Sequence, residues 1–157
     1  MEQHVAEIMR EKNFAIMDIE YIRTSETHQC IRKLYILAKN GYNDLELELY
    51  PCVQYSDLDK RYQRSFLFCR KHIHKLSYYP QKYASPCSTV LDKVNTFIAY
   101  NGIDCILYKG GTIEKDFCNV LCIPSYNIEC FQDLEKVHSH DPRREVNEYY
   151  TQLVELL

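Results

Sequence analysis

Apolar and polar positions repeat with two periods along this chain, and each change of period marks an element. Val5, Ile8 and Met9 recur at helical spacing in a charged stretch, which predicts a short amphipathic helix over residues 1–13. The run over residues 14–22 is apolar, rich in β-branched residues and too short for a second helix. It predicts a strand buried on both faces, interrupted near its end by Asp18 and Glu20. Residues 30–38 read as a second strand, and Lys39-Asn40-Gly41 carries the Asn-Gly signal of a tight hairpin. Over residues 44–50, Leu45, Leu47 and Leu49 alternate with Glu46 and Glu48, which predicts a half-exposed third strand ended by Pro51.

From Ser56 the period becomes helical, with Leu58, Tyr62, Ser65, Phe66 and Cys69 spaced by three or four until Pro80 intervenes. A second helix is expected from Ser85-Pro86 through Val90, Leu91, Val94, Phe97 and Ile98 to an Asn101-Gly102 stop. Residues 103–108 read as a core strand. A Lys109-Gly110-Gly111-Thr112 turn leads into a helix over 113–121, and residues 126–129 read as a short fifth strand. The last helix is expected from about Pro142, with Val146, Tyr149, Tyr150, Leu153, Val154 and Leu157 as its apolar face. Strands separated by helices pair in parallel through crossovers, so the expected fold is α/β. Its sheet would be mixed, an antiparallel three-strand meander plus two further strands with flanking helices.

The 157 residues, 46% hydrophobic and 26% charged, suit one domain over 1–157, and 14 Tyr and 6 Phe against 4 Gly exclude linker-like or disordered chains. No apolar run is long enough for a membrane span, and the start has no signal-peptide pattern, so no membrane partner is expected. The 8 Cys allow four disulfides, but most stand among apolar neighbours. That favours reduced thiols in a cytoplasmic or nuclear protein. The net charge of -3 conceals a segregation: residues 60–82 hold seven cations (Lys60, Arg61, Arg64, Arg70, Lys71, Lys75, Lys82) and no acid, leaving the rest strongly acidic. Such a segment suits an anionic ligand, or is simply a solvated helix face. Tyr78, Tyr79 and His72-Ile73-His74 beside it allow base stacking along a phosphate backbone, or a helix end compensated by cations.

Asp18 and Glu20, at i and i+2, point to one face of a strand. Burying two like charges is costly unless a cation neutralises them, and hard cations such as Mg²⁺ or Mn²⁺ take oxygen ligands. With this pair on the first strand of a meander, the order of elements resembles the RNase H-like fold of the DEDDh family of 3′→5′ exonucleases. It is most similar to the divergent branch that includes the arenavirus nucleoprotein exonuclease domain and the Maelstrom domain. Asp18-Ile19-Glu20 meets the family's first motif. Glu114, after the small-residue turn, stands where the family has its second Asp. His140 followed by Glu145 approaches the third motif, with Asn147 and Asp141 as competing registers and Pro142 inside it.

The resemblance implies a two-metal phosphodiester hydrolysis on RNA or DNA, RNA ranked first. Asp18, Glu20, Glu114 and Glu145 would hold Mg²⁺ or Mn²⁺, and His140 would act as general base. Lys60, Arg61, Arg64, Arg70, Lys71, Lys75 and Lys109 would contact the nucleic acid. Two Asp-to-Glu replacements lengthen both ligands by about 1.5 Å, so the alternative expectation is a catalytically inactive RNase H-like module, Maelstrom-like, that binds nucleic acid or a protein partner. A Cys/His zinc site from Cys118, Cys122, Cys130, His138 and His140 is arithmetically possible. However, the branch's Glu, Cys, His, Cys zinc pattern is not reproduced, so structural zinc is not expected and core burial of Cys118 and Cys122 is.

Overall fold

A computed structural model describes residues 2–23, 29–48, 58–64 and 88–157. Its elements are α1 (Glu2–Glu11), β1 (Phe14–Arg23), β2 (Gln29–Ala38), β3 (Asp44–Glu48), α2 (Ser88–Asn101), β4 (Cys105–Tyr108), α3 (Thr112–Leu121), β5 (Ser125–Asn127), a 3₁₀ turn (Ile128–Cys130) and α4 (Pro142–Leu156). Residues 60–64 are also helical, with Leu58 and Tyr62 buried, as the helical period from Ser56 predicts. The rest of that expected helix lies outside the described residues.

The strands form one mixed sheet in the order β3-β2-β1-β4-β5, consistent with an RNase H-like α/β fold. β1, β2 and β3 are the antiparallel meander, while β4 pairs parallel to β1 and β5 parallel to β4. Side-chain alternation divides the core between the two faces. Phe14, Ile16, Tyr35, Leu37 and Leu107 pack against α1 and against Val146, Tyr149 and Leu153 of α4. Ala15, Met17, Ile19, Leu34, Ile36 and Ile106 pack against Val90 and Val94 of α2 and Phe117 and Cys118 of α3. Asp18 and Glu20 continue the first series, so they face α4.

Two local features set up what lies at the end of β1. β4 pairs with β1 only from Phe14 to Ile16, so the edge of β1 facing β4 is open where Asp18 and Glu20 stand. On the other edge the register slips: Glu20 faces Lys33, but Tyr21 faces Ile31, leaving Arg32 without a partner residue. This is a β-bulge, and its effect is visible in the packing. Ile31 and Leu34, three apart, both face the α2/α3 core, so Arg32 and Lys33 both leave toward α4.

The β2–β3 turn binds the sheet to α4. Gly41 has φ +77°, and Tyr150 donates a 2.8 Å hydrogen bond to the Lys39 carbonyl beside it. A Cβ at Gly41 would stand 2.9 Å from the Tyr150 hydroxyl oxygen. Gly41→Ala therefore combines a left-handed backbone penalty of about 1–2 kcal/mol with a displaced hydrogen bond. The expected loss is about 2–3 kcal/mol, read as a lowered urea midpoint at unchanged slope. Lys39 also closes α1, its ammonium donating to the carbonyls of Met9 (2.8 Å) and Lys12 (2.9 Å).

Three expectations are corrected. The fifth strand ends at Asn127, because Asn127 Oδ1 accepts from the Glu129 N–H and turns Ile128–Cys130 into a 3₁₀ helix. The fourth strand begins at Cys105 rather than at residue 103. Cys122 is exposed rather than in the core: α3 ends one residue earlier and Cys122 closes it in the left-handed conformation, φ 57°. Cys118, one turn back, is fully buried. Cys105, Cys118, Cys122 and Cys130 are free thiols; the other cysteines lie outside the described side chains.

Candidate metal centre

Three elements deliver four carboxyl groups to the open end of β1. Asp18 and Glu20 come from β1 itself, and Glu145 reaches them from the first turn of α4. Oxygen atoms of these three lie within 4.8 Å of one another. Glu114, in the first turn of α3, comes from the opposite face through the unpaired edge. Its Oε1 accepts a 3.3 Å hydrogen bond from the Ile19 N–H, a donor that β4 would have engaged had it been longer. Glu114 is 4% exposed, and it also hydrogen-bonds with the Asp18 carboxyl. The turn that places it, Lys109-Gly110-Gly111, uses Gly110 at φ +85°, a conformation other residues rarely adopt.

α4 shows why Glu145, and not its rivals, joins this group. Asp141 is its N-cap, accepting from the Arg143 N–H at 3.2 Å, and Pro142 occupies the first helical position, where its missing N–H costs nothing. The proline inside the third motif thus starts the helix rather than disrupting it. Asp141 is engaged by Lys33 at 3.2 Å, and Asn147 bonds back to the Arg143 carbonyl at 2.7 Å, so neither faces Asp18. Glu145 does, and the two carboxyls share a hydrogen bond.

The electrostatics of the group are those of crowded acids. At this spacing two carboxylates repel by about 3–4 kcal/mol in an effective dielectric of about 20. Burial, reinforced by Glu145, Glu20 and Glu114, holds Asp18 well above the usual carboxylate range. Burial also pushes Glu20 up to about 7 despite the lowering effect of Arg32, and pushes Glu114 up to about 7 against its hydrogen bonds from Ile19 and Asp18. Glu145 is raised by burial too, moderated by the bond from Asp18 and by the nearby Lys109 and His140 side chains. With all four ionised, Asp18 Oδ2 and Glu114 Oε2 are sealed from solvent with no donor among the described residues to accept from. A proton on Asp18 relieves part of this; a divalent cation would relieve all of it. A hard all-oxygen donor set with two orphaned buried oxygens fits Mg²⁺ or Mn²⁺.

The cations stand around the group rather than within it. Lys109 lies beside Glu145 with its ammonium 5.4 Å from the Tyr149 ring centroid. His140 is exposed, in the connection just before the α4 cap, close enough to Glu145 to lower its pKa. Arg32, which the sequence pattern does not single out, is 2% exposed, with Nη2 3.9 Å from Glu20 Oε2. Of the basic segment, Lys60, Arg61 and Arg64 are exposed on the helical residues 60–64, with Arg61 over the Tyr62 ring. Arg70, Lys71, Lys75, Lys82, His72, His74, Tyr78 and Tyr79 lie outside the described residues. No described helix is long and apolar enough to cross a membrane. Comparison with protein-family models gives no match, and comparison with curated proteins gives none.

Proposed function

We propose that this chain is a divalent-cation-dependent phosphodiester hydrolase of the DEDDh 3′→5′ exonuclease type, acting on RNA or DNA. The observation that carries the reading is the convergence of Asp18, Glu20 and Glu145 within 4.8 Å, with buried Glu114 against Asp18 and two carboxylate oxygens left without donors. Asp18, Glu20, Glu114 and Glu145 would hold Mg²⁺ or Mn²⁺. When bound, these cations supply positive charge to the attacking and leaving oxygens of a phosphodiester.

The remaining work belongs to the chain. His140, on the exposed side of Glu145, accepts the proton of the attacking water and passes it to solvent. Lys109, held over Tyr149, supplies charge at the rim where a phosphate approaches, and Lys60, Arg61, Arg64 and the cations that follow them in sequence supply the wider attraction to a polyanion, RNA before DNA. The second reading, an inactive module, is favoured by the Arg32 guanidinium beside Glu20 and by Glu at the two positions where the family has Asp. In that reading a protein partner would find Tyr42 and Tyr100, 88% and 87% exposed, next to the Asn43–Asn101 hydrogen bond.

A 5′-labelled oligonucleotide incubated with Mn²⁺ separates the readings. Exonuclease action gives a ladder receding from the 3′ end, stopped by chelation and by a blocked 3′ terminus. Glu145→Gln should slow it by about 100-fold through loss of one ligand charge, roughly 3 kcal/mol of transition-state stabilisation. Equal ladders from both proteins, or no cleavage by the native chain, would overturn the enzymatic reading.

A further inference from the structure

The bulge in β2 places two consecutive cations, Arg32 and Lys33, on the α4 face, where an unbroken strand would have sent one of them into the α2/α3 core. Both then reach the connection that carries His140. Arg32 Nη2 donates to the His140 carbonyl at 3.3 Å, and Lys33 Nζ donates to Asp141 Oδ1 at 3.2 Å. The other end of the Arg32 contact is Glu20, 3.9 Å away. Lys33 is tied down in turn by Glu46 at 3.0 Å.

For stability alone this arrangement is poor. Among the described residues, a guanidinium 2% exposed, with one long hydrogen bond, one ion pair beyond hydrogen-bond range and an Nε without a partner, recovers little of the cost of its burial. An apolar side chain at the bulge would pack there without that cost. What the guanidinium does accomplish is geometric. It spans the gap between a strand-borne carboxylate and the backbone of a segment, residues 131–141, that has no regular secondary structure of its own.

We propose that Arg32 is a positioning residue: from the bulge, it clamps the His140 backbone and the Glu20 carboxylate in fixed relation, so that the segment bearing the imidazole is held beside the carboxylate cluster. The catalytic consequence rests on the hydrolase reading above; the clamp itself does not. Lys33 holds the adjacent cap residue, so the two cations act as a two-point clip. Misplacing a general base by about 1 Å costs on the order of 100-fold in rate, and substrate binding at the rim is untouched.

The test is Arg32→Met, alone and combined with His140→Ala, with KM and kcat measured on the 5′-labelled oligonucleotide in Mn²⁺. Loss of the clamp predicts kcat down 10- to 100-fold with KM unchanged within about twofold, and a double variant no slower than His140→Ala alone. Multiplying effects, or a kcat within twofold of native, would overturn the proposal. Amide hydrogen exchange gives an independent readout that needs no activity, so failure of the hydrolase reading leaves the clamp testable. Residues 138–141 should exchange about tenfold faster in Arg32→Met while β1 and β2 exchange as before. Acceleration across the sheet instead, or none at all, would contradict the clamp. If Arg32→Met does not fold, Arg32→Lys carries the same test, because one ammonium reaches one of the two partners. A Lys variant with native kcat and native exchange would overturn the proposal.

Discussion

Replacing Asp18 with Asn is expected to lower Mn²⁺-dependent strand cleavage by on the order of a thousandfold while leaving the metal-free protein at least as stable as the native chain. The two effects have one cause. Asp18 sits between Glu114 and Glu145, hydrogen-bonded to both, with Glu20 beside it, and all of these neighbours push its ionisation up. In the absence of a cation its charge is therefore unwelcome, and an amide of the same shape keeps the hydrogen bonds to Glu145 and Glu114 without it. A cation needs that charge. Losing roughly 4 kcal/mol of stabilisation at the reacting phosphate corresponds to the thousandfold. Thermal melting in a chelator, run beside the cleavage assay, checks both halves. A variant that melts well below the native chain would show that Asp18 serves the fold rather than a ligand.

Raising the pH from 5.5 to 8 should destabilise the chelated protein, and Mn²⁺ should reverse the loss. Glu20 and Glu114 rise from an ordinary 4.5 to about 7 on folding, and Asp18 and Glu145 rise as well. Between about 4.5 and 7 the native state thus holds protons that the unfolded chain has released, so stability falls as pH increases and reaches its low plateau above about 7. Across pH 5.5 to 8 buried Glu114 alone accounts for about 2 kcal/mol of this loss, with less from the more accessible Glu20. In a chain of this length about 2 kcal/mol corresponds to roughly 4–8 °C in Tm. Because a cation replaces these protons, the Mn²⁺-induced rise in Tm should be several-fold larger at pH 8 than at pH 5.5. Melting curves at the two pH values, with chelator and with Mn²⁺, measure it. A chelated protein that gains stability up to pH 8 would contradict the assignment of the raised carboxyls.

Most of the fold was legible because its strands are either uniformly apolar, as at Phe14–Met17 and Cys105–Tyr108, or cleanly alternating, as at Asp44–Glu48. The strand order follows from the hairpin at Gly41 and the helical crossovers around β4. Asp18 and Glu20 stood out for a physical reason, two acids at one face of a buried strand. Glu114 and Glu145 were placed by comparison of motifs, and only the structure shows that one enters through the edge left open by a short β4 and the other from a proline-started helix. Arg32 was not legible. Its neighbours Cys30-Ile31-Arg32-Lys33-Leu34 read as an ordinary strand, and a bulge has no local signature beyond two adjacent cations in an apolar run. Cys122 shows the same limit at a helix end: apolar flanks suggest burial, but α3 stops at Leu121 as its period predicts, and the left-handed turn at Cys122 leaves that side chain exposed.

The most direct test of the central claim, that this acid cluster is built around a divalent cation, is calorimetric titration of the chelator-stripped protein with Mn²⁺ at pH 7.5, native chain against Asp18→Asn. A cation-binding cluster requires saturable binding with proton release in the native protein, scaling with buffer ionisation enthalpy, and its loss in the variant. No saturable binding by the native chain, or equal binding by both proteins, would contradict it.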